Sequence, residues 1–166
     1  IFGKVRNHAQ PISTRQQVFT MFKVEEKSSD SIFIEMNADT SNIELITELI
    51  MDFSSRFISE EQAYKMGVAV DEAVTNIIMY AYSSDPEKVI FLHLFKKHDE
   101  IAIQIENFGP KFTPPVIVEK KKFSFDKLEE GGLGLYLMQE FMDELRFLYD
   151  FQVSKNILVM KKYLIG

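Results

Sequence analysis

Glu72 and Asn76 stand four residues apart in the run Asp71-Glu72-Ala73-Val74-Thr75-Asn76, a spacing that puts both side chains on one face of a helix. A carboxylate so placed can take a proton from a hydroxyl, and a neutral carboxamide oxygen suits a hard cation such as Mg²⁺. Two glycine-bearing segments follow. Asn107-Phe108-Gly109-Pro110 must turn the chain, and glycine there lets a ligand approach the backbone. Gly131-Gly132-Leu133-Gly134-Leu135 opens a helical pattern, so its free amides lie at the positive end of a helix dipole, a natural anion site. Taken singly, each also has a plain structural reading: a solvated helix face, an ordinary turn, a tightly packed helix start. In that order they outline a nucleotide pocket. The glycine run is neither G-x-G-x-x-G after a strand nor a P-loop, so a different phosphate cradle is expected.

The elements that must position these residues are legible from hydrophobic period. Val18 to Val24 and Ser31 to Asn37 read as strands, the second with Ile32, Ile34 and Met36 on one face. Ser41-Asn42-Ile43-Glu44 reads as a capping box opening a helix with Ile43, Ile46, Leu49, Ile50, Phe53 and Phe57 at helical spacing. Ser59-Glu60-Glu61-Gln62 reads as a second capping box, opening the helix that carries Glu72 and Asn76 and runs to about Tyr82. At about 22 residues it would span roughly 33 Å. Val89 to Phe95, apolar on both faces, predicts a central strand covered on at least one side, and Ile101 to Glu106 alternates as its antiparallel partner. Residues 111 to 130 form a long loop of the kind that serves as a lid or a solvated insertion. A helix from Leu135 through Met142 and strands near 145–149 and 156–163 close the domain.

Composition bounds what the pocket can belong to. The chain has 166 residues, 46% hydrophobic and 27% charged, which suits one globular domain with a sizeable core. A net charge of −6 and a pI near 5.1 argue against nucleic acid or an anionic membrane as the main partner. No apolar run reaches the roughly 18 residues a membrane span requires. Zero cysteines exclude disulfides and thiolate chemistry and fit a reducing cytoplasm, and the three histidines lack metal-ligand spacing. Residues 1–17 carry Lys4, Arg6 and Arg15 with Pro11 and no sustained period, and read as a tail or linker ahead of a domain over 18–166. Beginning at Ile1, the sequence reads as a possible piece of a longer polypeptide.

Glu72-x-x-x-Asn76, the Asn107-Phe108-Gly109 turn and Gly131-Gly132-Leu133-Gly134-Leu135 occur in the order of the nucleotide-binding boxes of the ATP-binding fold shared by histidine kinases, DNA gyrase and heat-shock chaperones. Within that superfamily the chain resembles the bacterial anti-sigma-factor serine kinases, through Asp71 to Asn76, Gly134-Leu135-Tyr136-Leu137-Met138 and Met142-Asp143-Glu144-Leu145. The likeness covers about residues 18 to 164. It implies an α/β two-layer sandwich, with a mixed, mostly antiparallel sheet backed by about three helices. It implies ATP held through Asn76, Asn107, Gly109 and the segment Gly131, Gly132, Leu133, Gly134 and Leu135, with Mg²⁺ on Asn76. Glu72 would be the general base toward a serine or threonine of an anti-sigma-factor antagonist. A sigma factor as a further partner, a homodimer and a cytoplasmic setting are also implied. The family usually has Asp where this chain has Asn107; asparagine keeps one accepting oxygen but loses a charge worth on the order of 1 kcal/mol in such a bond. The alternative is a non-catalytic module of the same fold that works by binding a partner.

Overall fold

The computed structural model of the protein describes residues 6–7, 21–114 and 132–164. The strands are β1 (Arg6–Asn7), β2 (Phe22–Ser28), β3 (Ser31–Asn37), β4 (Val89–Lys97), β5 (Glu100–Phe108), β6 (Glu144–Asp150) and β7 (Lys155–Tyr163), and the α-helices are α1 (Ser41–Ser54), α2 (Glu60–Asn76) and α3 (Gly132–Phe141). One sheet runs in the order β1-β2-β3-β4-β5-β7-β6. Every pairing in it is antiparallel, so the mostly antiparallel sheet expected from the sequence is wholly so among the described residues. The boundary expected at residue 17 lies outside the described residues, as do 115–131, most of the expected loop. Of the strand expected over 18–24, the described part pairs from Phe22 onward and continues to Ser28.

The period of two explains how the sheet builds its core. Ile34 pairs with Leu92, Leu92 with Ile105, Ile105 with Leu158 and Leu158 with Phe147, an apolar row across five strands. A parallel row of Ile32, Leu94, Ile103, Met160 and Leu145 lies beside it. Ile34, Leu92, Ile105, Ile103 and Met160 are buried against Ile46, Ile50, Phe53, Met66, Val70 and Val74 of the helices. Each side chain so removed from water contributes about 1.5–3 kcal/mol. The third row, Met36, Ile90, Asn107, Asn156 and Tyr149, has the same orientation but turns polar halfway across. The apolar core therefore gives way to buried polar side chains where the site begins.

The helices differ from expectation at their ends. Ser59 caps α2 with half of the expected box: its Oγ accepts from the Gln62 N–H at 3.2 Å, while Gln62 Oε1 is buried without a partner among the described residues. The box expected at Ser41 does not form: Thr40 is the capping position without a side-chain bond, and Asp39 Oδ1 instead accepts from the Ser41 N–H at 2.8 Å and the Ser41 hydroxyl at 2.6 Å. An aspartate two residues ahead folds back on the chain more readily than serine, and it takes the donor first. Beyond Asn76 the helix widens into a single π-turn over Ile77–Ala81, and Ser83 and Ser84, both at positive φ, end it. The two long helices touch closely at Gly67, where a Cβ would lie 2.9 Å from Met51 Cγ.

Candidate functional site

Glu72 and Asn76 do share a face near the C-terminal end of α2, and the first turn of α3 lies directly on them. A Cβ on Gly134 would fall 2.7 Å from Glu72 Oε2 and 3.4 Å from Asn76 Nδ2, so glycine is needed for Glu72 to hold its carboxylate where it lies. Burial, aided by the neighbouring Asp71 charge, raises the pKa of Glu72 above the ordinary carboxylate value. Asp71 is itself oriented by Thr75, whose hydroxyl donates to Asp71 Oδ1 at 3.1 Å. A carboxylate with a raised pKa and no ion pair among the described residues is better placed to accept a proton than to hold up a fold.

Beside this contact opens a cleft of about 360 Å³. Its walls are mostly apolar, with Ile77, Leu135, Met138, Phe147 and Leu158, and Asn76 and Asn107 both reach it. Asn107 is only 5% exposed, yet its Nδ2 has no hydrogen-bond partner among the described residues. Leaving such a donor unpaired costs about 1–3 kcal/mol, a cost that a ligand acceptor would remove. The arrangement suits a flat heteroaromatic ring with a hydrogen-bonding edge. Lys111 is the one cation among the described residues of the cleft wall.

The turn after Asn107 is held from three sides. Phe108 N–H donates to the Tyr82 hydroxyl at 3.0 Å, and that hydroxyl donates to Val89 O at 2.7 Å. Tyr149 donates to Gly109 O at 2.9 Å, and Gly109 N–H donates to Ser154 O at 2.8 Å. Asn156, the cross-strand partner of Asn107, donates through Nδ2 to Pro110 O at 2.9 Å and accepts at Oδ1 from the Phe112 N–H at 2.8 Å. Gly109 adopts φ 142°, a conformation that favours glycine, although a Cβ there would meet open space.

Of the residues picked out in the sequence, Asn76, Asn107 and Leu135 line the cleft, Glu72 lies beside Gly134 at its edge, and Gly109 shapes the turn. Gly132 begins α3, Leu133 is exposed, and Gly131 lies outside the described residues. Tyr82, Tyr149 and Asn156 escaped the sequence reading. Their polar atoms sit at core-period positions, and that mismatch of type and position was the available signal. Among the described residues no group of three or more His, Cys, Asp or Glu could hold a metal ion. Asn76 therefore fits Mg²⁺ only in company with oxygens of a ligand, the way this ion usually accompanies phosphates.

A two-layer fold with a carboxylate, an amide and a glycine-led helix around one cleft defines a class, and the family comparison agrees: the chain belongs to the histidine kinase-like ATPase domain family, whose model matches residues 36–162. Its relatives include a serine-protein kinase RsbW of Bacillus licheniformis, 28% identical over 141 residues, covering 80% of this chain and 86% of that protein. The RsbW of Bacillus subtilis (strain 168) is 27% identical over 151 residues, covering 85% and 90%. An anti-sigma F factor of Clostridium perfringens (strain SM101 / Type A) is 31% identical over 108 residues, covering 61% and 74%.

Proposed function

We propose that the protein is an ATP-dependent serine/threonine kinase acting on a partner protein, with Glu72 as general base and Asn76 as the Mg²⁺ ligand. The observation that carries this reading is the approach of Gly134 to Glu72 and Asn76 beside the cleft that Asn76 and Asn107 line. Asn107 holds the purine edge, and the apolar walls hold its faces. The first-turn amides of α3, at Gly132 and Gly134, receive the phosphate oxygens at the positive end of the helix dipole. Glu72 takes the proton of a serine or threonine hydroxyl as its oxygen bonds to the terminal phosphorus; the bond to the bridging oxygen breaks, and ADP leaves with that electron pair. Bound Mg²⁺ supplies charge neutralisation on the phosphates, and the chain contributes positioning.

The names of the relatives, kinases and anti-sigma factors, support an anti-sigma-factor antagonist as substrate and a sigma factor as the second partner. A homodimer and a cytoplasmic setting complete the reading; no helix among the described residues is long and apolar enough to cross a membrane. The test is incubation with Mg-ATP and a candidate antagonist, wild type against Glu72→Ala. Phosphate on serine or threonine, lost in the variant while ATP binding survives, is the expected result. Nucleotide binding without transfer to any antagonist would favour a partner-binding module instead.

A further inference from the structure

Two buried asparagines face each other across β5 and β7, and their carboxamides are in opposite situations. Asn156 has both ends committed, Nδ2 to Pro110 O and Oδ1 to the Phe112 N–H, so its orientation is fixed. Neither end of the Asn107 carboxamide is held by a hydrogen bond among the described residues, and its Nδ2 is buried without a partner. A half-turn about its last side-chain bond therefore exchanges donor and acceptor without breaking anything. No Asp or Glu is among the described residues lining the cleft, and the neighbouring amide is locked.

Purines differ at this kind of edge in one respect. A 6-aminopurine presents an amino donor beside an accepting ring N1, and a 6-oxopurine presents an accepting oxygen beside an N1–H donor. A free carboxamide is complementary to the first in one orientation and to the second in the other, whereas a carboxylate, which only accepts, meets the one donor of either edge and is repelled by the acceptor beside it. We infer that the cleft takes 6-oxopurine nucleoside triphosphates as well as ATP, with Asn107 meeting either edge by turning its amide. This rests on the nucleotide reading of the site given above. The turn that carries Asn107 is already pinned by Tyr82, Tyr149 and Asn156, so the adaptation needs only the amide to rotate.

Calorimetric titration of the full chain with Mg-ATP and Mg-ITP decides the matter. Inosine triphosphate changes the 6-position and N1 without adding the 2-amino group of guanine. Wild type is expected to bind the two within about tenfold of each other, because each edge finds both of its bonds. Asn107→Ala, which removes the shared contact, should weaken both by similar factors and leave the ratio near that of wild type. ITP binding more than about tenfold weaker than ATP in wild type, or a loss in Asn107→Ala confined to one of the two nucleotides, would overturn the inference. Failure of both nucleotides to bind the wild type would sink the nucleotide reading itself, and that result is distinct from selective loss of ITP.

Discussion

Glu72 is a carboxylate that the fold holds at a cost. Burial and the Asp71 charge raise its pKa, so the folded state binds its proton more tightly than the unfolded chain does. The sign follows from linkage: its contribution favours the fold below the unfolded carboxyl pKa and is lost as pH rises through the higher folded value. Glu72→Gln should therefore raise the melting temperature at neutral pH, and the gain should vanish on acidification below the carboxyl range. Melting curves across pH check this, and equal melting temperatures at neutral pH would show that Glu72 is not destabilising. Gly134 makes the complementary case. Its Cβ would collide with the far end of the Glu72 side chain rather than with backbone, so Gly134→Ala can be accommodated by moving the carboxylate. Alanine in a helix is favoured over glycine by up to about 1 kcal/mol, so stability should hold or rise slightly while phosphoryl transfer falls by about tenfold or more. Parallel thermal melts and transfer assays would contradict this if activity survived unchanged.

Tyr82 joins two elements that the chain separates by many residues. It ends the π-turn that extends α2, and its hydroxyl ties that end to Val89 at the start of β4 and to Phe108 at the end of β5. The helix that carries Glu72 and Asn76 and the turn after Asn107 are thus fixed to each other through one oxygen atom. Burial raises its pKa, which keeps the hydroxyl protonated and able to donate to Val89. Tyr82→Phe leaves the ring in place and strips two backbone groups of a partner, at a cost of about 1–3 kcal/mol. With the turn loosened, the KM for ATP should rise several-fold and kcat should change little; a fall in kcat alone, with KM unmoved, would assign Tyr82 another role. The helix continuation to about Tyr82 was readable from its period. Its widening into a π-turn was not, because hydrogen-bond spacing leaves no trace in residue type when the same side chains suit either winding.

At the scale of the whole molecule, three rows of side chains cross the sheet on its helix side, two apolar and one polar at its centre. Ile103 lies in a central strand with no exposure, so Ile103→Ala should lower unfolding free energy by about 2–5 kcal/mol, as denaturant titration would measure. Transfer by the folded fraction should be nearly unchanged, since Ile103 does not line the cleft. The sequence by itself determined the three α-helices and the main strands, the order of the site segments, the family and the pairing of Glu72 with Asn76, because these depend on short-range period and motif. It could not bring Gly134 onto Glu72, since that contact depends on how α3 packs on α2 across dozens of residues. Nor could it show that Asn107 and Asn156, alike in type and adjacent in register, have opposite freedom. Hydrogen-bond saturation belongs to the assembled neighbourhood of an atom: Pro110 and Phe112 reach Asn156, and among the described residues the Asn107 amide is left open to the cleft.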